Sequence, residues 1–247
     1  MTGSFKDHFS RIAGSYAAFR PHYPAELFAH LSGLCAQRKL AVDCGTGNGQ
    51  AAIGLAAHFN EVVAMDPSAE QIAAATAHER VRYAVAPAER MPVDDNSTDL
   101  VTAAAAAHWF PHDAFHAEVR RVLKPGGIVA LWTYWNAHIS PQVDAVLEHF
   151  QTNVVGPYWP PERRYVNSAY RDLPFPFTDL PMPEMDVRLN WPLAHFIGYL
   201  GTWSAVQRYR SSHGTDPIDL VRKDLRAAWG EGERPVRWPL AMRVGRV

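Results

Sequence analysis

Short apolar runs alternate with amphipathic stretches through the first half of the chain. Apolar runs bounded by turn residues predict strands, and stretches with apolar residues three or four apart predict helices. Such alternation is typical of parallel strands joined by right-handed crossover helices. The predicted strands are residues 40–44, 61–66, 82–85, 99–104 and 128–134, and the predicted helices between them are 49–58, 68–78 and 112–123.

Further elements precede and follow this alternating core. Residues 4–35 have a helical spacing of apolar residues with a break at Pro21 and Pro24, and they predict two helices before the first strand. Residues 155–183 are rich in proline and aromatic side chains, which predicts a rigid irregular loop because the aromatic rings require burial. The remaining predicted elements are a strand at 185–191, helices around 195–210 and 217–229, and a terminal strand at 236–247.

Length, charge and cysteine content narrow the classes of function. A chain of 247 residues with 47 % hydrophobic residues suits one α/β domain. The formal net charge is −1 and no block of like charge occurs, so we expect no nucleic-acid partner. With two cysteines and no apolar signal segment, a cytoplasmic location is the default expectation. No apolar run approaches the roughly 20 residues that span a bilayer, and we expect neither a membrane nor a metal site.

A glycine-rich turn follows the first predicted strand and opens the next helix. Its sequence over residues 43–50 is D-C-G-T-G-N-G-Q. Glycines let the backbone approach a ligand closely, and the helix that follows presents unpaired N–H groups, so the turn indicates a nucleotide-type ligand. A dinucleotide fingerprint, G-x-G-x-x-G, would require glycine in place of Gln50. Asp43 precedes the first glycine by two residues, where a carboxylate suits a ligand with an ammonium and a sulfonium better than a pyrophosphate.

A second acidic residue ends the next predicted strand. Asp66 lies 21 residues after Gly45, at the carboxyl end of a neighbouring strand, where a carboxylate can accept hydrogen bonds from both hydroxyls of a ribose. Ser68 is placed to cap the helix that follows. The simpler alternative is that Asp66 itself only caps this helix, but beside the glycine turn we favour the ribose role.

The carboxyl ends of the third and fourth predicted strands add residues to the predicted site. The loop after the third strand contains Ala88 and Glu89, whose backbone N–H groups can reach an adenine ring. Glu89 could orient this loop, accept a hydrogen bond from the adenine amine, or simply be solvated. The fourth strand ends in small residues through Ala104, which let a ligand lie against the backbone, and these are followed by the bulky His108 and Trp109.

Taken together, these motifs resemble those of the class I S-adenosylmethionine-dependent methyltransferases over roughly residues 40–134. The motifs are, in order, D-x-G-x-G-x-G, V-A-M-D-P-S, A-E-R-M-P, D-L-V-T-A-A-A-A-A-H-W-F and L-K-P-G-G. Residues 16–24 and 199–209 are similar to the branch that includes the trans-aconitate methyltransferases. The resemblance implies an α/β, Rossmann-like, doubly wound sheet of seven mostly parallel strands, with the last strand antiparallel and with helical and loop insertions as a lid.

The same resemblance implies a cofactor and its contacts. S-adenosyl-L-methionine would lie over the carboxyl ends of the first strands. The head helices would cover it and bring Tyr16 and Arg20 near its methionine carboxylate, although Arg20 could equally be a surface residue. We expect a single domain, 1–247, with cofactor-covering helices in 1–39, the binding core in 40–135, the substrate lid in 136–235 and a terminal strand in 236–247. The other expected cofactor contacts are Asp43, Gly45, Thr46, Gly47, Asp66, Pro67, Ala88, Glu89 and Ala104.

Methyl transfer from a sulfonium is an in-line displacement that depends on alignment and exclusion of water. A base is needed only if the acceptor starts protonated, and a carboxylate needs none. We predict that His108 and Trp109 are the catalytic residues, with His108 as a base of pKa near working pH or as a hydrogen-bonding partner of the acceptor; a structural histidine is the alternative. Further candidates near the methyl group are Trp132, Tyr134, Trp135, His138, Tyr158 and Trp159, and the arginines that could bind an acidic substrate are Arg163, Arg164 and Arg171.

The aromatic lid favours an enclosed small molecule as acceptor, through a carboxylate, a hydroxyl or a nitrogen atom. Two other functions remain open at this point. One is an NAD(P)-dependent oxidoreductase on a related sheet, which Gln50 and Asp43 disfavour. The other is a non-catalytic S-adenosylmethionine-binding regulator that has lost its acceptor pocket. The oligomeric state is left open by the sequence.

Overall fold

A computed structural model describes residues 19–247, and its strands and helices alternate through the first half of the chain. This half contains α1 (Ala25–Leu34), β1 (Leu40–Cys44), α2 (Gln50–Ala56), β2 (Glu61–Asp66), α3 (Ala69–Ala73), β3 (Val81–Val85), β4 (Thr98–Ala104), α4 (His112–Val122) and β5 (Leu123–Tyr134). The second half contains α5 (Pro141–His149), α6 (Arg163–Asn167), β6 (Thr178–Asp179), β7 (Asp186–Pro192), α7 (Leu193–Gly201), α8 (Ser204–His213), α9 (Arg222–Trp229) and β8 (Glu233–Arg246).

The main sheet has the strand order β3-β2-β1-β4-β5-β8-β6. Strands β1 to β5 pair in parallel, whereas β8 is antiparallel to both β5 and β6. The predicted α/β, Rossmann-like fold of seven mostly parallel strands with an antiparallel last strand is therefore confirmed. Strand β8 is long enough for two successive partners, because its first half pairs with β7 and its second half with β5.

Apolar side chains cover both faces of the sheet. In β5, Ile128, Ala130 and Trp132 belong to one buried cluster, whereas Val129 and Leu131 belong to the other. This division follows from the two-residue period of a strand, which sends neighbouring side chains to opposite faces. Helices must cover both faces, as in other parallel sheets. Full burial of each large aliphatic side chain contributes about 1.5–3 kcal/mol, so the two clusters fix the strand ends on which the site is built.

Several predicted boundaries differ from the structure. The helix predicted at 68–78 ends at Ala73, because the N–H of Thr76 donates to the carbonyl of Asn48 in the glycine turn. The strand predicted at 128–134 begins at Leu123 instead, and its pairing shifts from Thr98 with Leu123 to Leu100 with Ile128. The helix predicted at 195–210 is divided between α7 and α8. The first predicted helix lies mostly outside the described residues.

Two negative findings apply to residues 19–247. No helix in this part of the chain is long and apolar enough to cross a membrane. The same residues contain no group of three or more metal-binding side chains in a suitable arrangement. His112 and His116 stand one helical turn apart, with ring centroids 6.1 Å apart.

Candidate active site

The glycine turn after β1 has a backbone geometry that glycine adopts at little cost. Gly45, Gly47 and Gly49 have φ angles of 64°, 56° and 88°, all in the left-handed region. A Cβ atom added to Gly45 would lie 2.6 Å from the Cβ of Ala106, closer than two such atoms can approach. The turn therefore runs directly against the chain that follows β4.

Asp66, at the end of β2, is bonded to this turn. One carboxylate oxygen accepts the N–H of Gly47 at 3.0 Å, and the other accepts the N–H of Ser68 at 2.9 Å. The cap of α3 is Ser68, whose hydroxyl oxygen accepts the N–H of Gln71 at 3.2 Å. Asp66 thus joins the ends of β1 and β2.

Asp43 is buried beneath the same turn. Its two carboxylate oxygens accept the hydroxyls of Thr46 at 2.6 Å and Thr102 at 2.7 Å. Burial raises the pKa of Asp43 to about 6, against the lowering effect of the two hydroxyl groups. Asp43 lies outside the described walls of the cavity above the turn, so here it connects the turn to β4.

A cavity of about 540 Å³ opens above the carboxyl ends of β1, β2 and β4. Tyr16, which was also predicted to lie here, is outside the described residues. Gln50 entered the sequence-based predictions only as an argument against a dinucleotide fingerprint, which would have glycine there. In the structure Gln50 lines the cavity, and its Nε2 donates to the carbonyl of Pro21 at 3.2 Å. The predicted residues in the walls are Arg20, Gly45, Thr46, Gly47, Asp66, Pro67, Ala88, Glu89 and Ala104. Further wall residues that were not among the predicted contacts include Tyr23, Asn48, Gln71, Phe110 and Glu162.

A second cavity, of about 330 Å³, adjoins the first. Of residues 19–247, four line both cavities: Arg20, Ala105, Trp109 and Tyr134. The predicted residues in the walls of the second cavity are His108, Trp109, Tyr134, Trp135, His138, Trp159 and Arg163. The other four candidates lie elsewhere, since Trp132 is in the core, Tyr158 packs on Tyr209, and Arg164 and Arg171 are exposed.

Ala105 has a strained backbone at the boundary between the cavities. Its φ angle is 52°, a left-handed value that is uncommon for a residue with a Cβ atom. The N–H of Ala105 donates to the carbonyl of Trp132 at 2.7 Å, which holds the chain in this conformation. Strain of this kind often accompanies a ligand site. Within a run of five alanines, the sequence gave no sign of which one would be strained.

His108 is held as a neutral imidazole. Its Nδ1 lies 2.8 Å from the hydroxyl oxygen of Tyr170. Burial, with the nearby positive charges of Arg163 and Arg20, lowers the pKa of His108 to about 3. The predicted pKa near working pH is therefore wrong, because the sequence showed neither the burial nor these arginines. Such a weak base does not take a proton efficiently at neutral pH, whereas a neutral ring still forms hydrogen bonds.

Comparisons with known proteins agree with this geometry. The sequence profile of the family described as "Methyltransferase domain" matches residues 42–131. A Dictyostelium discoideum protein provisionally assigned as a methyltransferase is 31 % identical over 229 residues, which cover 91 % of this chain and 87 % of that protein. The chain belongs to the class I S-adenosylmethionine-dependent methyltransferases. This methyltransferase uses S-adenosylmethionine as its cofactor, and the nicotinamide alternative is set aside.

Two further similarities differ in how much of the methyltransferase they cover. A solved structure provisionally described as a type II methyltransferase from Anaeromyxobacter dehalogenans is 48 % identical, with a TM-score of 0.86, over 93 % of this chain and 98 % of that one. The malonyl-[acyl-carrier protein] O-methyltransferase of a Marinomonas species is 36 % identical over 135 residues, or 51 % of this chain and 49 % of that protein. The first similarity covers the whole fold, whereas the second covers about half of each protein.

Proposed function

We propose that this methyltransferase moves the methyl group of S-adenosylmethionine to an oxygen or nitrogen atom of a small molecule bound in the second cavity. The observation that carries the proposal is the shared boundary formed by Arg20, Ala105, Trp109 and Tyr134. In-line transfer requires the acceptor atom at about 3 Å from the methyl carbon, on the side opposite the sulfur. Two adjoining cavities with a common boundary suit this requirement.

In this proposal the larger cavity holds the cofactor. Asp66 accepts hydrogen bonds from the ribose, the turn at Gly45–Gly47 lies against the methionine part, and Ala88 and Glu89 border the adenine. Arg20, together with Tyr16, binds the methionine carboxylate. Asp43 acts indirectly, because its bonds to Thr46 and Thr102 hold the turn in place. These assignments are supported by the lining of the larger cavity.

The residues of the chain position the acceptor and exclude water. None of them acts as a nucleophile toward the methyl group. The cofactor supplies an activated methyl group on a cationic sulfur. His108 offers a neutral hydrogen-bonding nitrogen toward the second cavity, and Tyr170 fixes the orientation of its ring. Trp109 packs beside His108 with ring centroids 4.9 Å apart and borders both cavities, where it keeps water from the reacting atoms.

The second cavity favours a small acceptor. Its walls carry many aromatic rings and it lies within one chain, which suits a compact molecule better than a nucleic acid or an extended protein segment. Its presence also argues against a regulator that has lost its acceptor pocket. We further propose a cytoplasmic location and a place in or near the trans-aconitate methyltransferase branch, from residues 16–24 and 199–209.

The experiment combines binding with turnover. Calorimetry with S-adenosylmethionine and adenosylhomocysteine should give a single site on the purified chain. Transfer of a labelled methyl group is then measured over a panel of small carboxylic acids, alcohols, phenols and amines. Binding of the cofactor with turnover on at least one small acceptor supports the proposal. A chain that binds neither compound at millimolar concentration, or methylates only proteins or nucleic acids, contradicts it.

A further inference from the structure

Arg163 places a positive charge in the wall of the second cavity with no acidic partner among residues 19–247. Its guanidinium carbon lies 4.2 Å from the centroid of the Trp159 ring. Its Nε donates to the side-chain oxygen of Asn167 at 3.0 Å. The ring covers one face of the guanidinium and Asn167 takes one donor, so the two terminal NH₂ groups remain for a ligand. Burial, with the charge of Arg20 nearby, lowers the pKa of Arg163 to about 10, which still leaves it charged at neutral pH.

The other charged groups around this cavity do not neutralise Arg163. Arg20 adds a second positive charge, and His108 is neutral. Asp144 accepts the N–H of Ile139 at 2.8 Å and lies 3.5 Å from the ring of His138, so it is already engaged. Glu148 is exposed to solvent. A partly desolvated cation without an acidic partner is costly, and a bound anion offsets that cost.

We propose that the methyl acceptor is a small carboxylic acid with an apolar body, bound as its carboxylate by Arg163. This inference rests on the proposed function of the second cavity. A planar guanidinium binds a carboxylate through two parallel hydrogen bonds, and each oxygen keeps a lone pair for attack. The apolar body fits the aromatic walls, which include Trp135, Trp159, Tyr199 and Trp203.

The chemistry of a carboxylate agrees with the neutral state of His108. A carboxylate oxygen forms a new bond to the methyl carbon while the bond from carbon to sulfur breaks and its electron pair stays on sulfur. The anion and the sulfonium become a neutral methyl ester and a neutral thioether. No proton is transferred, so the step requires no base. Because the negative charge of the acceptor falls during the step, Arg163 should contribute to binding more than to turnover.

The test compares head groups on a common body. Binding to the chain saturated with adenosylhomocysteine is measured by tryptophan fluorescence and calorimetry. The probes are 3-phenylpropionate, 3-phenylpropanol and 3-phenylpropylamine, with butyrate, butanol and butylamine as a second body. We expect at least one of the two carboxylates to bind at least about tenfold more tightly than its matched alcohol and amine, as expected for a charge-assisted pair.

Variants separate the site from the fold. Arg163→Gln should remove the preference for the carboxylate and raise its KM more than it lowers kcat, while adenosylhomocysteine binds as before. Arg163→Lys keeps the charge without the planar fork and should retain part of the preference. Arg164→Gln is the matched control, because Arg164 is the adjacent residue but is exposed and packs on Tyr165, and it should leave the preference unchanged.

The product gives an independent readout. A labelled methyl ester releases volatile methanol in mild alkali, whereas a methyl ether or a methylamine does not. Equal binding of the three head groups, no binding of either carboxylate, or a preference that survives Arg163→Gln would overturn this inference. Turnover on alcohols or amines alone would overturn it as well, while leaving the proposed function intact. A chain that binds no adenosylhomocysteine would instead contradict the proposed function.

Discussion

The Nδ1 atom of His108 lies 2.8 Å from the hydroxyl oxygen of Tyr170, a residue 62 positions later in the chain. Tyr170 is fully buried and has a φ angle of 59°, so its ring is fixed by packing and by an uncommon backbone conformation. The hydroxyl therefore fixes one nitrogen of the imidazole, and the ring presents its other nitrogen in a set direction. We therefore propose that His108 positions the acceptor and does not act as a base.

The first prediction separates these two roles. His108→Asn retains a polar group of similar reach and should keep turnover within about tenfold of the original chain, the cost of roughly one weakened hydrogen bond. His108→Phe removes the polar group and should lower kcat further, with little change in the affinity for adenosylhomocysteine. Steady-state kinetics and calorimetry give both quantities. Equal and complete loss in the two variants would instead indicate proton transfer by His108.

A second prediction concerns the dependence of stability on pH. Burial holds the pKa of His108 at about 3 and that of His116 at about 4, below the ordinary value near 6.5 that applies in the unfolded chain. Between these values the unfolded chain binds more protons, so stability rises with pH through this window and is lost as the pH falls below 6.5. We expect the free energy of unfolding to fall by on the order of 1–2 kcal/mol per histidine between pH 7.5 and 5.

Urea unfolding at the two pH values measures this loss. His116→Leu has no titrating group and should lose less stability on acidification than the original chain does. His116 lies outside the described walls of both cavities, so cofactor affinity at pH 7.5 should be unchanged and serves as the control. An identical loss in the variant and the original chain would show that His116 does not contribute.

The fold and much of the larger cavity were predictable because their signals are local. Strands β1 and β2 have the predicted bounds, and the glycine turn and Asp66 are each specified by neighbouring residues. The direction of the Asp43 side chain was not predictable, since it depends on Thr102 in another strand. The two-residue period of a strand places Val42 and Cys44 on one face and Asp43 on the opposite face. It does not show which residue or ligand Asp43 contacts there.

The second cavity was predictable only in part because its walls come from distant segments. Residues of the fourth and fifth strands were identified from the carboxyl-end rule, and Trp109 and Trp135 do lie there. Tyr199 and Trp203 line it from α7 and the residue before α8, where no motif distinguishes a wall residue from a core residue. The pKa of His108 depends in the same way on burial and then on Arg163, both of which act on it only in the folded chain.

The third prediction tests Asp66. Asp66→Ala removes acceptors for the N–H groups of Gly47 and Ser68 as well as those proposed for the ribose. Cofactor affinity should fall by more than about 1 kcal/mol, since charge-assisted hydrogen bonds are lost. Asp94→Ala, at an exposed position outside the cavity walls, is the control and should bind adenosylhomocysteine normally. Unchanged affinity in calorimetry of Asp66→Ala would refute the ribose assignment.

The fourth prediction compares two glycines of one turn. Both have left-handed φ angles, so an alanine at either costs about 1–2 kcal/mol of backbone strain. At Gly47 the new Cβ would lie 3.8 Å from the nearest atom, the side-chain oxygen of Gln71, whereas at Gly45 it would clash with Ala106. Gly45→Ala should therefore lower stability and cofactor affinity more than Gly47→Ala does. Thermal unfolding and calorimetry measure the two effects, and the reverse order would mean that the turn is packed differently.

The last prediction concerns the segment that leads into α1. The hydroxyl of Tyr134 donates to the carbonyl of Pro21, and Nε2 of Gln50 reaches the same oxygen at 3.2 Å. These bonds tie the residues around Arg20 to the end of β5 and to the glycine turn. Tyr134→Phe removes the donor but keeps the ring, which stacks on Tyr23 with centroids 5.0 Å apart. We expect little change in stability and a loss of cofactor affinity of about 1 kcal/mol, because Arg20 is held less firmly.

A double-mutant cycle decides whether this loss passes through Arg20. If Tyr134 acts by placing Arg20, then Arg20→Gln already removes the benefit, and adding Tyr134→Phe should cost little more. If Tyr134 contacts the cofactor independently, the two losses in calorimetry should add.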